Sequence, residues 1–202
     1  MNIHFTDYDI RRIAQALDNA RLTSAIKENC QMLCTVAAEY YAVDARLVPW
    51  RSTHFGHPCT QWLTLSDSNV QWLMVYSSAL ERERIALDWT PMRETMQIIV
   101  DMAGLITSQV ASGRAPTRTS RKHVTPLPNC ARRSDMGLDF THITDTRLAY
   151  RQYMCARWER QLWGSNAGLQ WRSETGAPDW ATDYPDIAPT LATLLAKTKT
   201  QH

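Results

Sequence analysis

The sequence predicts an all-α fold: a single compact domain over residues 1–202, with about six to seven helices and one long basic loop. Apolar residues recur at three- and four-residue spacing in several segments, which is typical of helices with one buried face. No segment of useful length alternates apolar and polar residues, as a half-buried strand would. Hydrophobic residues make up 44% of the chain and charged residues 21%, which is ordinary globular composition.

Two helices are predicted in the N-terminal part of the chain. Thr6 is the candidate N-cap of the first, because apolar residues then recur at helical spacing as far as Leu17. A longer helix should cover about residues 19–41, where the same spacing continues. We expect its buried face to contain Leu22, Ile26, Cys30 or Leu33, and Val36.

Three further helices are predicted in the middle of the chain. Pro49 and Gly56 interrupt the helical pattern, and Pro58 then favours the first turn of a short helix. Ser66 is the candidate N-cap of the segment "DSNVQWLMVYSSALERERI". The next helix should cover about residues 90–113, since a Thr-Pro pair can open it and a glycine can end it.

A long basic loop should connect these helices to the C-terminal part. It covers about residues 114–143, and its prolines exclude a long helix. Thr144 then opens a helix that Gly164 ends. An irregular, Trp-rich segment and a last amphipathic helix, "IAPTLATLLAK", complete the chain.

The first part of this basic loop, residues 114–133, is rich in cations and contains no acid. Such a stretch typically contacts the phosphates of nucleic acid, and long loops in helical domains are often functional. The alternative interpretation is a solvated loop without a partner. The predicted DNA-binding residues are Arg114, Arg118, Arg121, Lys122, Arg132 and Arg133.

Composition argues against several classes of protein. The five cysteines are odd in number and form no Cys-x-x-Cys pair, unlike a disulfide framework or a zinc ribbon. Charged residues occur in the opening "MNIHFTDYDIRR" before an apolar run can form, so we expect no signal peptide. No uncharged stretch reaches the ~20 residues of a membrane helix. We therefore expect reduced thiols in a cytosol and no membrane partner.

The 51–63 segment, "RSTHFGHPCTQWL", concentrates side chains that carry chemistry. His54, His57 and Cys59 could bind zinc, but their spacing matches no familiar zinc motif, and we predict no metal. Cys59 could be a thiolate nucleophile near the start of a helix, or simply a small buried residue. Arg51 and both histidines also fit a phosphate pocket, because all three donate hydrogen bonds to oxyanions.

Acidic and aromatic residues elsewhere have alternative interpretations. Glu28 shares a face with Gln31 on a helix that is otherwise largely buried, so its charge needs a partner. Arg21 and Lys27 could pair with that acid or hold a phosphate. A second acidic cluster, in "ALERERI", is typical of a solvated helix face. The aromatic candidates, which could pack in the core or stack on a base, are Trp62 and Trp72.

Three segments together resemble a family of small phage-encoded proteins. They are "LDNARLTSAIKENCQMLCT", "THFGHPCTQWLTLSDSNVQWLMVYSSAL" and "AYRQYM", within roughly residues 15–82 and 148–154. The family shows the pattern T-H-x-x-H-P-C-x-x-W-x-x-x-S-x-x-N-x-x-W after a helix of the form L-D-x-x-R-L-x-x-x-x-x-E. The matching positions are Thr53, His54, His57, Pro58, Cys59, Trp62, Ser66, Asn69 and Trp72, behind Leu17, Asp18, Arg21, Leu22 and Glu28.

Members of this family are often labelled pyrimidine-dimer DNA glycosylases, and the phage amino acid:DNA transferases of thymidine hypermodification look similar. Both act on a pyrimidine in duplex DNA. The glycosylase type uses an amine exposed by removal of the first methionine, which the bulky Asn2 disfavours. The resemblance therefore implies a transferase that attaches a free amino acid, such as glycine, to the C5-methylene of a phosphorylated or pyrophosphorylated 5-hydroxymethyluracil. A DNA glycosylase and a non-catalytic DNA-binding protein are the alternatives.

The resemblance also implies roles for the matched residues. Glu28 is the predicted base for the amine, and His54 and His57 are the predicted donors to the leaving phosphate. Cys59 is a candidate thiolate that adds at C6 of the pyrimidine. The predicted substrate- and phosphate-binding residues are Arg21, Lys27, Arg51, Thr53, Trp62, Asn69, Trp72, Tyr150 and Tyr153. We expect double-stranded DNA and a free amino acid as partners, no cofactor, and action in the host cytoplasm.

Overall fold

The fold is all-α, as the sequence predicts. The computed structural model describes residues 2–115, 123–164, 169, 171 and 176–199. Helices make up 60% of the structure, and the described residues contain seven α-helices and one two-stranded antiparallel sheet. None of the helices in this part of the chain combines the length and the apolar character that a membrane crossing requires.

The helices follow the predicted order. Their bounds are α1 Ile10–Ala16, α2 Asn19–Glu39, α3 Pro58–Trp62, α4 Asp67–Ala86, α5 Arg93–Ala111, α6 Thr146–Gly164 and α7 Pro189–Lys199. Short 3₁₀ helices occur at Ala45–Leu47, Ser134–Met136 and Asp179–Thr182. The sheet pairs β1, Arg132–Arg133, with β2, Leu138–Asp139.

Helix starts agree with the sequence prediction at α3 and α4 but not at α1. Pro58 opens α3, and the Ser66 hydroxyl accepts a hydrogen bond from the Ser68 N–H at the start of α4. The N-cap of α1 is Asp9, not Thr6, because the Asp9 carboxylate accepts the Arg11 N–H at 2.8 Å. Thr6 is fully buried instead. A carboxylate adjacent to the first turn satisfies a helix N–H directly, which a residue three positions earlier does not.

Two predictions are wrong in the region between α4 and α5: the start of α5 and the exposure of the acidic cluster. Helix α5 begins at Arg93 rather than at the Thr-Pro pair, because the backbone just before it is bonded to side chains of α4. The Thr90 carbonyl accepts from Arg84, and the Met92 N–H donates to Glu81. The acidic cluster is therefore buried rather than solvated: Glu81 and Arg84 form an ion pair at 3.4 Å.

The basic loop contains a small hairpin that the sequence does not predict. In it Arg132 is opposite Asp139 and Arg133 is opposite Leu138, and Gly137, with φ of 63°, turns the chain between the strands. Glycine adopts this left-handed conformation without strain. Strands of two residues are too short to produce an alternating pattern, so the sequence carries no signal for them.

The chain divides into two structural units, each made of two stretches of sequence. Unit 1 contains Met1–Ile3 and Leu22–Pro128, and unit 2 contains His4–Arg21 and Asn129–His202. The core of unit 1 includes the inward face of α2, whose predicted members are all buried, and the contact of α4 with α5. That the whole chain is one domain stays a prediction.

The core of unit 2 is built on α6, which packs against α7. Trp158 of α6 is fully buried and stacks on Trp180, with ring centres 5.6 Å apart. Its indole N–H donates to the buried carboxylate of Asp18 at 2.7 Å. The carboxylate of Glu159, next along α6, accepts the Thr190 and Leu191 N–H groups at the first turn of α7, which joins the two helices.

Candidate functional site

The polar face of α2 holds the start of the 51–63 segment in unit 1. Gln31 Nε2 donates to the Arg51 carbonyl at 2.8 Å. The Thr35 hydroxyl donates to the Thr53 carbonyl at 3.0 Å and accepts the Thr53 N–H at 3.2 Å. Glu28 lies one turn before Gln31 on the same face, so the carboxylate and the 51–63 segment share one side of this helix.

The next residues form a tight turn that places two histidines close together. The His57 N–H donates to the His54 carbonyl at 2.9 Å, which reverses the chain. His54 has φ of 55°, a left-handed conformation that is uncommon outside glycine, and its side chain is exposed. Strained backbone of this kind is concentrated at functional sites.

His57 has a defined role at the start of α3. Its Nδ1 accepts the Cys59 N–H at 3.2 Å, so the imidazole is the N-cap of this helix. Burial is the main cause that lowers the pKa of His57, and nearby His54 contributes. His57 is therefore neutral near pH 7, and its remaining proton is on Nε2, where it can be donated to an oxyanion.

Glu28 is half-buried, and its carboxylate contacts the backbone of the second residue. Oε2 accepts the Asn2 N–H at 2.7 Å. The side chain of Lys27, the residue before Glu28 on α2, is exposed, as is that of Arg51. Unit 1 thus presents a carboxylate and an accessible cation on α2, and two imidazoles and a second accessible cation in the 51–63 segment that α2 holds.

Cys59 is fully buried. Cys59 is the second residue of α3, which is only five residues long, so the helix dipole is small and gives little stabilisation to a thiolate. This burial favours the interpretation of Cys59 as a packing residue. A role as nucleophile stays a prediction that needs a conformation with the sulfur exposed.

Asn69 and Trp62 form a buried cluster with Thr125. The Asn69 amide donates to the Trp62 carbonyl at 2.7 Å and to the Thr125 hydroxyl at 2.8 Å, and it accepts the Thr125 N–H at 2.9 Å. The Trp62 indole N–H donates to the Thr125 carbonyl at 3.0 Å. Both side chains are buried, so in this conformation they connect α3 and α4 to residue 125 rather than face a ligand.

Trp72 is the more accessible of the two candidate tryptophans. It is half-buried, its ring is edge-on to Trp62 with centres 5.8 Å apart, and it is tilted against Tyr76 at 5.2 Å. Trp72 is therefore the middle ring of a row of three aromatic residues, and it is the most accessible of the three. A stacking role for that ring stays a prediction.

Arg21, Tyr150 and Tyr153 lie in unit 2. Both tyrosines are buried in α6, and Arg21 pairs with Asp18 at 2.9 Å. These contacts make them parts of the unit 2 interior. Their contribution to substrate binding stays a prediction.

The predicted DNA-binding residues are only partly described. Arg114 is exposed just after α5, and Arg132 is exposed in the hairpin opposite Asp139. Arg133 pairs with Asp135 at 3.0 Å. The predicted residues that lie outside the described part of the chain are Arg118, Arg121 and Lys122.

Sequence reasoning missed several polar residues that organise these regions. Thr35 fixes the 51–63 segment and Thr125 fixes one point within the basic loop, through backbone contacts for which the sequence carries no local signal. His4 and Arg157 meet in unit 2 although they are far apart in sequence.

Comparisons with protein-family models, with curated proteins and with solved structures found no match to this chain.

Proposed function

We propose that the protein is a phage DNA-modifying transferase that acts in the host cytoplasm. It attaches a free amino acid to the C5-methylene of a phosphorylated or pyrophosphorylated 5-hydroxymethyluracil in double-stranded DNA. The observation that carries the proposal is the polar face of α2, where Glu28 shares one side of the helix with the hydrogen-bonded start of the 51–63 segment.

The reaction is a substitution at the methylene carbon. A C–N bond forms between this carbon and the amino acid nitrogen, and the C–O bond to the phosphate or pyrophosphate breaks. The oxygen leaves with the electron pair of that bond as phosphate or pyrophosphate. The amino acid enters as an ammonium, so one proton must be removed before attack and a second after it.

Glu28 is suited to accept a proton from the amine. Its carboxylate is half-buried, and the Asn2 N–H holds one oxygen in place at 2.7 Å. A partly desolvated, oriented carboxylate is a common general base. The proposal assigns Glu28 this role.

The leaving phosphate requires donors rather than a nucleophile. Neutral His57 can donate from Nε2, exposed His54 is next to it across a tight turn, and the Arg51 side chain is exposed. Donors aimed at developing negative charge typically supply the largest part of such a rate enhancement. Cys59 takes no step in this scheme, because its sulfur is buried.

A DNA glycosylase is the second candidate, and one contact favours it. In the glycosylase type the reactive amine is at the second residue after methionine removal, and here the Asn2 nitrogen is 2.7 Å from the Glu28 carboxylate. A carboxylate beside that nitrogen could assist an amine nucleophile. The transferase is the primary proposal, because it uses the donors of the 51–63 segment as well as the Glu28 carboxylate.

The test compares Glu28→Gln with Glu39→Gln, which changes an exposed glutamate at the end of the same helix. Transfer is measured by mass spectrometry of nucleosides from duplex DNA that contains phosphomethyluracil or pyrophosphomethyluracil. Glu28→Gln should lower the transfer rate by about a hundredfold or more, the usual contribution of a general base. It should melt like the wild type, because glutamine can still accept the Asn2 N–H. Glu39→Gln should transfer normally.

Other outcomes assign other functions. Abasic products trapped by borohydride would establish the glycosylase, and DNA binding without turnover would establish a binding protein. Stoichiometric zinc in the purified protein, with inactivation by chelators, would replace the phosphate role of His54 and His57 with a metal site. Transfer by Glu28→Gln at the wild-type rate would exclude Glu28 as the base.

A further inference from the structure

A cluster of aromatic and cationic side chains in unit 2 surrounds His4. Its ring stacks on Tyr153 with centres 6.4 Å apart and meets the edge of Tyr150 at 6.1 Å. Arg157 Nη1 donates to the Tyr153 hydroxyl at 3.2 Å, and the guanidinium carbon is 5.9 Å from the centre of the same ring. Arg157 and His4 therefore meet around one tyrosine of α6.

Polar atoms in this cluster lack partners in the described part of the chain. His4 is only 2% exposed, yet neither of its ring nitrogens has a hydrogen-bond partner there. The Nε of Arg157 is also buried without a partner. Buried polar groups are nearly always hydrogen-bonded, so several such atoms at one place indicate groups that are completed by a ligand.

The charges around Arg157 are also unbalanced. The neighbouring cations are Arg21 and Arg133, and each has its own carboxylate: Asp18 at 2.9 Å and Asp135 at 3.0 Å. Arg157 has no carboxylate partner among the described residues, although its side chain is half-buried. Among the described residues, these three arginines lie near two carboxylates, which leaves one net positive charge. Burial, together with repulsion by Arg21, lowers the pKa of Arg157 below its ordinary value.

We propose that Arg157, Tyr153 and His4 form a binding site for a small carboxylate. One net positive charge matches a monoanion better than a phosphomonoester dianion. The burial of His4 favours a small group over the phosphodiester of a DNA duplex. A guanidinium binds a carboxylate through parallel N–H groups, and the neutral imidazole adds one donor.

The bearer of this carboxylate is the free amino acid that the transferase consumes, an assignment that rests on the proposed function. The carboxylate of an amino acid does not take part in the bond change, so it is available as an anchor. Binding through it would hold the amino acid on the protein and leave its amine free. Arg157 and His4 contact the ligand, whereas Tyr153 positions the guanidinium.

The experiment measures binding to the full-length protein by calorimetry without DNA. The probes are glycine, acetate, and glycinamide, which retains the amine but lacks the carboxylate. Glycine and acetate should bind and glycinamide should not. Arg157→Gln should weaken glycine binding by about tenfold or more, because a charge-assisted contact is lost. Arg160→Gln, an exposed arginine one turn along α6, is the matched control and should bind normally.

A second variant keeps the test independent of folding. His4→Phe retains the stacked ring but removes the donor, and it should weaken glycine binding several-fold with normal melting. Glycine binding that is unchanged in both variants would overturn the site. The site would also be overturned if glycine did not bind and Arg157→Gln weakened the binding of duplex DNA instead. That result would assign Arg157 to a phosphodiester.

The same variants separate this site from the proposed function. If Arg157-dependent glycine binding occurs but no amino acid is transferred to DNA, the site stands and the transferase fails. If Arg157→Gln transfers at the wild-type rate at low glycine concentration, the transferase stands and the site fails.

Discussion

Replacement of Asn69 by alanine should lower the free energy of unfolding far more than it would if Asn69 only contacted a substrate. The Asn69 amide is fully buried and makes three hydrogen bonds, two of them to Thr125 and one to the Trp62 carbonyl. Alanine removes all three at once. It leaves the buried Thr125 N–H without a partner, whereas the Trp62 carbonyl still accepts from Leu65.

The magnitude follows from these groups. A buried N–H left unsatisfied costs about 2 kcal/mol, and each of the two other hydrogen bonds contributes about 1 kcal/mol. The expected loss in the free energy of unfolding is therefore about 4 kcal/mol. For a chain of this length that corresponds to a fall in melting temperature of roughly 8–16 °C.

The assay is urea unfolding followed by tryptophan fluorescence, with melting followed by circular dichroism. Gln71→Ala, which changes an exposed residue on the same helix, is the control and should alter the free energy by less than about 0.5 kcal/mol. The structural role would be refuted if the free energy of unfolding of Asn69→Ala lay within about 1 kcal/mol of that of the control, which is roughly the contribution of one hydrogen bond, while activity was lost. Asn69 would then be a substrate ligand.

Two further predictions concern His4 and the basic loop. Burial, with the nearby charges of Arg157 and Arg21, holds the pKa of His4 well below its ordinary value of 6.5. As the pH falls below 6.5 the unfolded chain binds a proton that the folded protein does not, so the free energy of unfolding should fall by up to about 1.4 kcal/mol per pH unit. His4→Phe should remove that slope in urea titrations between pH 7 and 5, and an unchanged slope would contradict it. Alanine at Arg118, Arg121 and Lys122 should lower the log–log salt slope of DNA binding by about 0.9 per lost phosphate contact, and an unchanged slope would exclude this part of the loop from the interface.

Local signals in the sequence predicted most of the helices. Ser66 and Pro58 define helix starts through their own side chains, and the apolar spacing of α2 gives its bounds within two residues. The N-cap of α1 was assigned to Thr6 rather than Asp9, because both residue types cap helices well and only the fold decides between them. The hairpin was missed because its strands contain two residues each.

The sequence predicted the functional residues less completely. The motif groups Glu28, His54 and His57, and that grouping stays a prediction. The structure adds that α2 is hydrogen-bonded to the start of the 51–63 segment. It could not distinguish a buried structural amide at Asn69 from a substrate contact, because that distinction depends on Thr125, far along the chain. Arg157 and His4 likewise meet only through tertiary packing.

Amino acid transfer is detected directly by mass spectrometry of nucleosides from duplex DNA that contains phosphomethyluracil or pyrophosphomethyluracil. The DNA is incubated with the protein and with glycine labelled at its nitrogen. A transferase should give a nucleoside that carries the labelled nitrogen on its C5-methylene, with one phosphate or pyrophosphate released for each amino acid attached. Nucleosides that remain unchanged with every amino acid, or abasic sites in their place, would contradict it.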